Sequence, residues 1–364
     1  MARLLVVEAG DVPPAVAHAL DTPGQVVAPL PRDPAERAAA LAMLRPDLAE
    51  TTPDAAFVLA TSGSTGRPKG VVLTRSGVLA AAAATHERLG GPGRWTCPLP
   101  VSYVAGLMIL ARSHVAGLPA RVVGGPVPPA GEDRSYTSVV PTQLHRALAD
   151  PGATAALASY AAVLVGGAGL APDLRRRAEV AGIRVVATYG ATETCGGVVY
   201  DGRPLTGVEV AVRADGRILI TGPSVFAGYR LDPVATAEVL SGRTFATSDR
   251  GSWHGGTLTV AGRVDDVVIS GGVNVDLAEL QRVVDATFGA ERVVVLAVAD
   301  ADWGRRVVAA TTDATTADRV RHELEPLVGR AAVPKETRVL VSFPRLASGK
   351  IDRRALARFW PGGD

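Results

Sequence analysis

The chain has 364 residues, which as a prior corresponds to two or three domains and leaves ample length for a large core. Apolar residues make up 47% and charged residues 20%, so a disordered or fibrous chain is excluded. Lys and Arg number 38 against 36 Asp and Glu, a formal charge of +2. That is too balanced for a protein that selects nucleic acid or a membrane surface by bulk charge, and a small-molecule partner fits better.

In chain order, the first fifty residues match no motif, and Arg3 and Glu8 interrupt the first apolar stretch, leaving no h-region of a secretory signal. Cys97 and Cys195 are the only cysteines and form no CxxC, so no disulfide framework or thiolate metal site is written here. A reducing, cytoplasmic setting is expected. Phe57–Ala60, Arg121–Val123, Ala162–Val165 and Arg184–Ala187 read as buried strands alternating with Ala-rich helical stretches, an α/β signature. Thr74 and Pro172 mark helix starts, and Gly124–Gly131 reads as a surface loop. The uncharged run Gly152–Pro172 could span a bilayer by length, but its glycines, its proline and its alanine content make it helix, strand and loop of a core.

After Gly207 the strands shorten (Val208–Val212, Ile218–Thr221, Thr257–Val260) between Gly and Pro turns, which predicts an antiparallel sheet or small barrel. From Asp266 a small α+β domain is expected, with helices Leu277–Ala286 and Ala317–Val328 and strands Arg292–Val298, Val307–Thr311 and Arg338–Val341.

The strongest chemical signal is TSGSTGRPKG, Thr61–Gly70, directly after the Phe57–Ala60 strand. Its hydroxyls (Thr61, Ser62, Ser64, Thr65), its glycines (Gly63, Gly66, Gly70) and Lys69 suit phosphate oxygens, because glycine permits close backbone approach and the ammonium is a compact charge. The G-x-x-x-x-G-K-[ST] pattern cannot be laid on it. A Ser/Gly-rich surface linker would not end in Pro-Lys-Gly behind a buried strand.

This loop resembles the phosphate-binding signature of the AMP-forming adenylate ligases, the superfamily of acyl-CoA synthetases, peptide-synthetase adenylation domains and luciferases. The remaining motifs of that superfamily follow in order: YGATET (Tyr189–Thr194), TSD (Thr247–Asp249), GRVDD (Gly262–Asp266) with ISGGVNV behind it, and ASGKIDRRAL (Ala347–Leu356). The resemblance implies a two-domain enzyme of α/β and α+β class. Residues 1–264 would form a large N-terminal domain with mixed sheets and a barrel-like region, and residues 265–364 a small mobile α+β domain.

It implies ATP, Mg²⁺ and CoA as cofactor and co-substrates, with site roles carried over residue by residue. Tyr189 and Gly190 would meet adenine, with Gly167 and Ala168 on the adenine side. Thr192 would contact phosphate or acyl group, and Glu193 would hold Mg²⁺, which needs few protein ligands. From their residue types, Tyr189 and Thr192 read as a tight loop at a strand's carboxyl end. Asp249, after Ser248 in place of the usual glycine, would accept from the ribose hydroxyls, and Arg263 would reach ribose or α-phosphate. Asp265 matches the hinge, Gly271 and Gly272 the loop lining the pantetheine tunnel, and Lys350 the lysine that neutralises charge in adenylation. Lone residues of these types are usually solvated surface groups; the ordered motifs reverse those odds. Cys195, with no His nearby in sequence, reads as a small buried residue, and the six histidines have no zinc spacing.

For the carboxylate, Cys97–Gly117 and Val139–Leu148 are most similar to the o-succinylbenzoate–CoA ligase branch, which serves menaquinone biosynthesis by activating an aromatic keto-diacid. Tyr103 stands where many relatives carry histidine. Ser102, Tyr103, Gly106, Thr142 and Gly167 are the expected pocket lining. A second carboxylate wants a cation, for which Arg112 is available, against the more usual reading of an arginine on a helix surface. Another acyl- or aryl-CoA ligase, a carrier-loading enzyme and a non-catalytic nucleotide module remain open at this point. A homodimer is suggested by the resemblance alone, and no nucleic acid or membrane span is expected.

Overall fold

The computed structural model describes residues 2–61, 68–264, 266–345 and 351–363. Expectations that fall on Ser62, Gly63, Ser64, Thr65, Gly66, Asp265 and Lys350 therefore lie outside the described residues. The chain divides into two compact units, one of residues 1–211, 219–247 and 253–258, the other of residues 212–218, 248–252 and 259–364.

The first unit begins with the stretch that matched no motif. Strand Arg3–Val7, helix Val12–Asp21, strand Gln25–Pro29 and helix Pro34–Leu44 lead into strand Ala55–Thr61, and the three strands pair in parallel. Strand Lys69–Thr74 then pairs antiparallel with Ala55–Thr61, and Gly228–Tyr229 closes the five-stranded sheet on its far side. The strands are apolar on both faces, so the sheet is covered: Val26, Ala28, Val58 and Val72 pack with Leu44 and Ala40 of the helix. Thr74 caps helix Arg75–Arg88, its hydroxyl accepting from the Gly77 N–H at 3.0 Å.

A seven-stranded sheet in the same unit runs Arg203–Pro204, Gly196–Tyr200, Val185–Ala191, Ala162–Val165, Ser135–Val139, Arg94–Cys97 and Arg121–Val122. The five strands from Val185–Ala191 to Arg121–Val122 are parallel. Arg121–Val123 was expected to be buried; it is a two-residue edge strand with Val122 48% exposed, since no strand lies beyond it to cover the side chains.

A third sheet orders Glu209–Val212, Arg217–Thr221, Thr244–His254 and Leu240–Ser241, with Thr257–Arg263 also paired to Thr244–His254. The latter two strands meet at Gly255 and Gly256, both at positive φ (57° and 78°), as a tight hairpin requires.

In the second unit, Gly304–Thr311 is the central strand of a five-stranded sheet and pairs antiparallel along its length with Val293–Asp300. Side chains alternate between faces along a strand. Val293, Val295 and Ala297 pack on helices Leu277–Phe288 and Ala314–Ala332, while Val294, Leu296 and Val298 pack on Leu356 and Trp360. Both faces are buried, which is why Val293–Val298 reads as an unbroken apolar run. Helix Ala314–Ala332 kinks at Gly329 (φ 76°), just after Pro326. No helix of the described residues is long and apolar enough to cross a membrane.

Candidate functional site

In the first unit the segment expected to hold phosphate lies between two strands whose facing ends, Thr61 and Lys69, are paired. Thr61 pairs with Lys69 across the hairpin, and the Thr61 hydroxyl donates to the Lys69 carbonyl at 3.3 Å. The Lys69 ammonium lies 4.5 Å from the centroid of the Tyr229 ring. Tyr229 reaches this place because Gly228 and Tyr229 pair with Val72 and Val71, three and two residues beyond Lys69.

The other unit-one candidates follow the carboxyl ends of successive parallel strands, the edge where open α/β sheets place ligands. Ser102, Tyr103 and Gly106 follow Arg94–Cys97, Thr142 is the second residue of helix Pro141–Ala147 after Ser135–Val139, and Gly167 and Ala168 follow Ala162–Val165. Tyr189, Gly190, Thr192 and Glu193 end the series at Val185–Ala191. The tight loop expected at Tyr189 is instead strand through Ala191, and Thr192 opens a short 3-10 turn. The reason is the returning strand Gly196–Tyr200, which places Gly196 opposite Ala191 and Gly197 opposite Gly190 and extends the hairpin. Gly190 is required there, since a Cβ would collide with the Gly196 carbonyl.

Within the turn, the Thr194 hydroxyl accepts from the Ala191 N–H and donates to the Gly196 carbonyl, both at 2.8 Å. This leaves the Glu193 side chain to point elsewhere. Its Oε1 accepts from the Tyr229 hydroxyl at 2.9 Å, and its backbone carbonyl accepts from the Phe226 N–H at 2.8 Å. Glu193 Oε2 has no partner among the described residues. One open carboxylate oxygen, linked through Tyr229 to the Lys69 ammonium, is a donor that a hard cation ligated mainly by phosphate oxygens can use. Burial and the neighbouring Glu193 charge hold the Tyr229 phenol well above its usual range, so it stays a donor. Cys195 is buried and its thiol is pushed up to about 12, which rules it out as a nucleophile.

Ser102 is buried, and Tyr103, the N-cap of helix Val104–Ala116, donates its hydroxyl to Glu36. Arg112, expected at a helix surface, is only 4% exposed. Its helix is covered by Trp95 and Tyr200: the guanidinium lies 5.1 Å from the Trp95 ring and donates to the Tyr200 hydroxyl at 3.3 Å. Arg112 Nε is buried without a partner, and no carboxylate pairs with Arg112 among the described residues.

Beside it, His86 Nε2 accepts from the Trp95 indole N–H at 3.1 Å. Burial, and then the Arg112 charge, push the His86 pKa down to about 4, so the folded state holds it neutral. The sign follows from linkage: this contribution is complete above the unfolded value near 6.5 and is lost as pH falls towards 4, about 3 kcal/mol in all. His86→Gln keeps an acceptor for Trp95 without titrating. We expect it to flatten the fall of denaturation midpoint between pH 6.5 and 4; an unchanged slope would place the acid sensitivity elsewhere.

In the second unit, Asp249 lies on Thr244–His254 and Arg263 ends Thr257–Arg263, with Arg263 Nη1 3.9 Å from Asp249 Oδ1. Ser248, in place of the usual glycine, does not adopt positive φ, so the substitution carries no backbone strain. Arg250 and Asp276 form an ion pair beside them. Gly271 and Gly272, at φ 57° and 81°, form the turn between Val267–Ser270 and Val273–Asp276, and the Trp303 ring packs against Gly271.

Sequence reasoning missed Tyr229, Glu36 and the buried pair Arg230–Glu50. Each acts on a residue far away in the chain, and no local spacing signals that.

The AMP-binding enzyme family model matches residues 2–230. A probable 2-succinylbenzoate–CoA ligase of Mycobacterium tuberculosis (strain H37Rv) is 41% identical over 332 residues, covering 85% of each chain. The 2-succinylbenzoate–CoA ligase of Escherichia coli K12 is 33% identical over 312 residues, 81% of this chain and 67% of that one. The structure of an E. coli MenE variant with bound OSB-AMS superposes with a TM-score of 0.81 at 26% identity, covering 98% of this chain and 87% of the other. The chain belongs to the AMP-binding enzyme family.

Proposed function

We propose that the chain is an ATP-dependent 2-succinylbenzoate–CoA ligase, the activity carried in the names of its relatives and the thioester-forming step expected in menaquinone biosynthesis. In the first half-reaction a carboxylate oxygen of the acid attacks the α-phosphate of ATP, and pyrophosphate leaves. In the second, the CoA thiol attacks the acyl carbon of the adenylate, AMP leaves and the thioester forms. Mg²⁺ bound at Glu193 would supply charge neutralisation for the phosphates.

The chain's own residues divide the work. The Thr61–Lys69 loop and Lys69 would hold phosphates, Tyr189 and Gly190 the base, and Asp249 and Arg263 the ribose. Tyr103, Ser102, Gly106 and Thr142 would border the acid.

The observation that supports a diacid is Arg112. Eight residues beyond Val104, about 12 Å along the helix, a guanidinium is buried with no anion to match it among the described residues. Burying a charge without a partner is costly, and a distal carboxylate delivered by the substrate would relieve it. The test is product mass spectrometry with ATP, Mg²⁺ and CoA and either 2-succinylbenzoate, benzoate or a medium-chain fatty acid. Succinylbenzoyl-CoA and AMP are expected from the first acid alone. A thioester only from another acid would overturn the substrate, and no AMP from any acid would overturn the ligase reading.

Arg112→Lys is expected to raise KM for 2-succinylbenzoate by about 10–100-fold, the worth of a charge-assisted hydrogen bond, with KM for ATP unchanged. An equal rise in both constants would make Arg112 a structural residue.

A further inference from the structure

A single aromatic side chain touches both phosphate-handling groups of the first unit. The Tyr229 hydroxyl donates to Glu193 Oε1 at 2.9 Å, and its ring carries the Lys69 ammonium at 4.5 Å. Tyr229 is itself tightly held: it is 9% exposed, its backbone N–H donates to the Thr236 hydroxyl at 2.8 Å, and its ring lies 5.0 Å from that of Phe226. Phe226 in turn donates its N–H to the Glu193 carbonyl. The neighbouring Arg230 is clamped by Glu50 and by the carbonyls of Leu44, Arg45 and Leu48, so the Gly228–Tyr229 strand has little freedom.

A glutamate on a short turn has three side-chain torsions, and a cation bound through one of its oxygens gains affinity when those torsions are already set. Tyr229 sets them by engaging Oε1 and leaving Oε2. We propose that Tyr229 is the positioning residue of the nucleotide's divalent-cation site, orienting the Glu193 carboxylate while its ring holds Lys69 beside the phosphate loop. The inference rests on the reading of Glu193 and Lys69 as nucleotide-phosphate ligands given above.

Tyr229→Phe separates the two contacts, because it removes the hydroxyl and keeps the ring under Lys69. The measurement is ATP binding by calorimetry, in EDTA and across a MgCl₂ titration, with no acid or CoA present. In the wild type, Mg²⁺ is expected to tighten ATP binding. In Tyr229→Phe the Mg²⁺ concentration needed for that tightening is expected to rise about tenfold or more, the usual cost of losing a hydrogen bond that orients a metal ligand. Affinity in EDTA is expected to stay within about twofold, since the phosphate loop and the ring are intact.

The same substitution made on Glu193→Gln is expected to change the Mg²⁺ dependence no further, because the two residues act as one unit. An unchanged Mg²⁺ dependence in Tyr229→Phe, or an additive loss in the double variant, overturns the role of Tyr229. Absence of any Mg²⁺-dependent ATP binding in the wild type overturns instead the functional reading on which it rests.

Discussion

Lys350→Ala is expected to lower the adenylation rate by about 10²–10³-fold, the loss seen when one electrostatic donor to a transition state is removed. The expectation comes from the sequence Ser348-Gly349-Lys350 ahead of the basic helix Arg353–Ala357 and its match to the superfamily's adenylation lysine. As the carboxylate oxygen attacks, negative charge grows on the α-phosphate and the departing pyrophosphate, and a delivered ammonium neutralises it.

On that expectation the same lysine would have no part in thioester formation. Two assays therefore split the effect. Pyrophosphate exchange should fall by the full factor, whereas CoA consumption from a chemically made acyl-adenylate should stay within about threefold. Near wild-type exchange would remove Lys350 from the first half-reaction, and equal losses in both would point to a folding defect.

The second large effect is on stability. Arg230 and Glu50 form a pair at 2.7 Å with side chains 1% and 6% exposed, 180 residues apart in sequence. Arg230 also donates to the carbonyls of Leu44, Arg45 and Leu48, and Glu50 Oε1 accepts from the Thr51 and Thr52 N–H groups and the Thr52 hydroxyl. Removing one member leaves an uncompensated buried charge, so Arg230→Met or Glu50→Gln should each cost about 3–5 kcal/mol. The double variant should cost clearly less than the sum, because neither charge is then stranded.

Burial raises the Glu50 carboxyl, but its hydrogen bonds from Thr52 and Arg230 outweigh this and the net pKa is lowered. The pair's contribution is therefore present above the ordinary glutamate range and is lost as pH falls through the lower folded value. Denaturation at pH 7 and pH 3 checks both claims. A Glu50→Gln cost that is the same at the two pH values would show that Glu50 does not titrate with folding.

The Ala162–Val165 strand appears where the apolar run predicts it, and Thr74 caps its helix as its hydroxyl allows. Burial of every side chain in Ala162–Val165 and the short reach of a cap are both written locally. Arg121–Val123 looked like the other strands but sits at a sheet edge, because a neighbouring strand is a property of topology rather than of composition. The first fifty residues carried no motif, yet they fold as two strand–helix units leading into the Ala55–Thr61 strand, since packing there uses generic apolar faces.

The ordered motifs in the sequence alone determined the superfamily, and from it came the expectations placed on the Thr61–Gly70 loop, Glu193 and Lys350. These features depend on residue types at short spacing, which the chain displays directly. Only the tertiary structure decided that Tyr189 belongs to a strand, that Arg112 is buried with no carboxylate partner among the described residues, and that Tyr229 bridges Lys69 and Glu193. Tyr229 meets Glu193 and Lys69 across 36 and 160 residues of chain, and each of the three outcomes is set by which strands and helices pair and pack, not by residue types at short spacing.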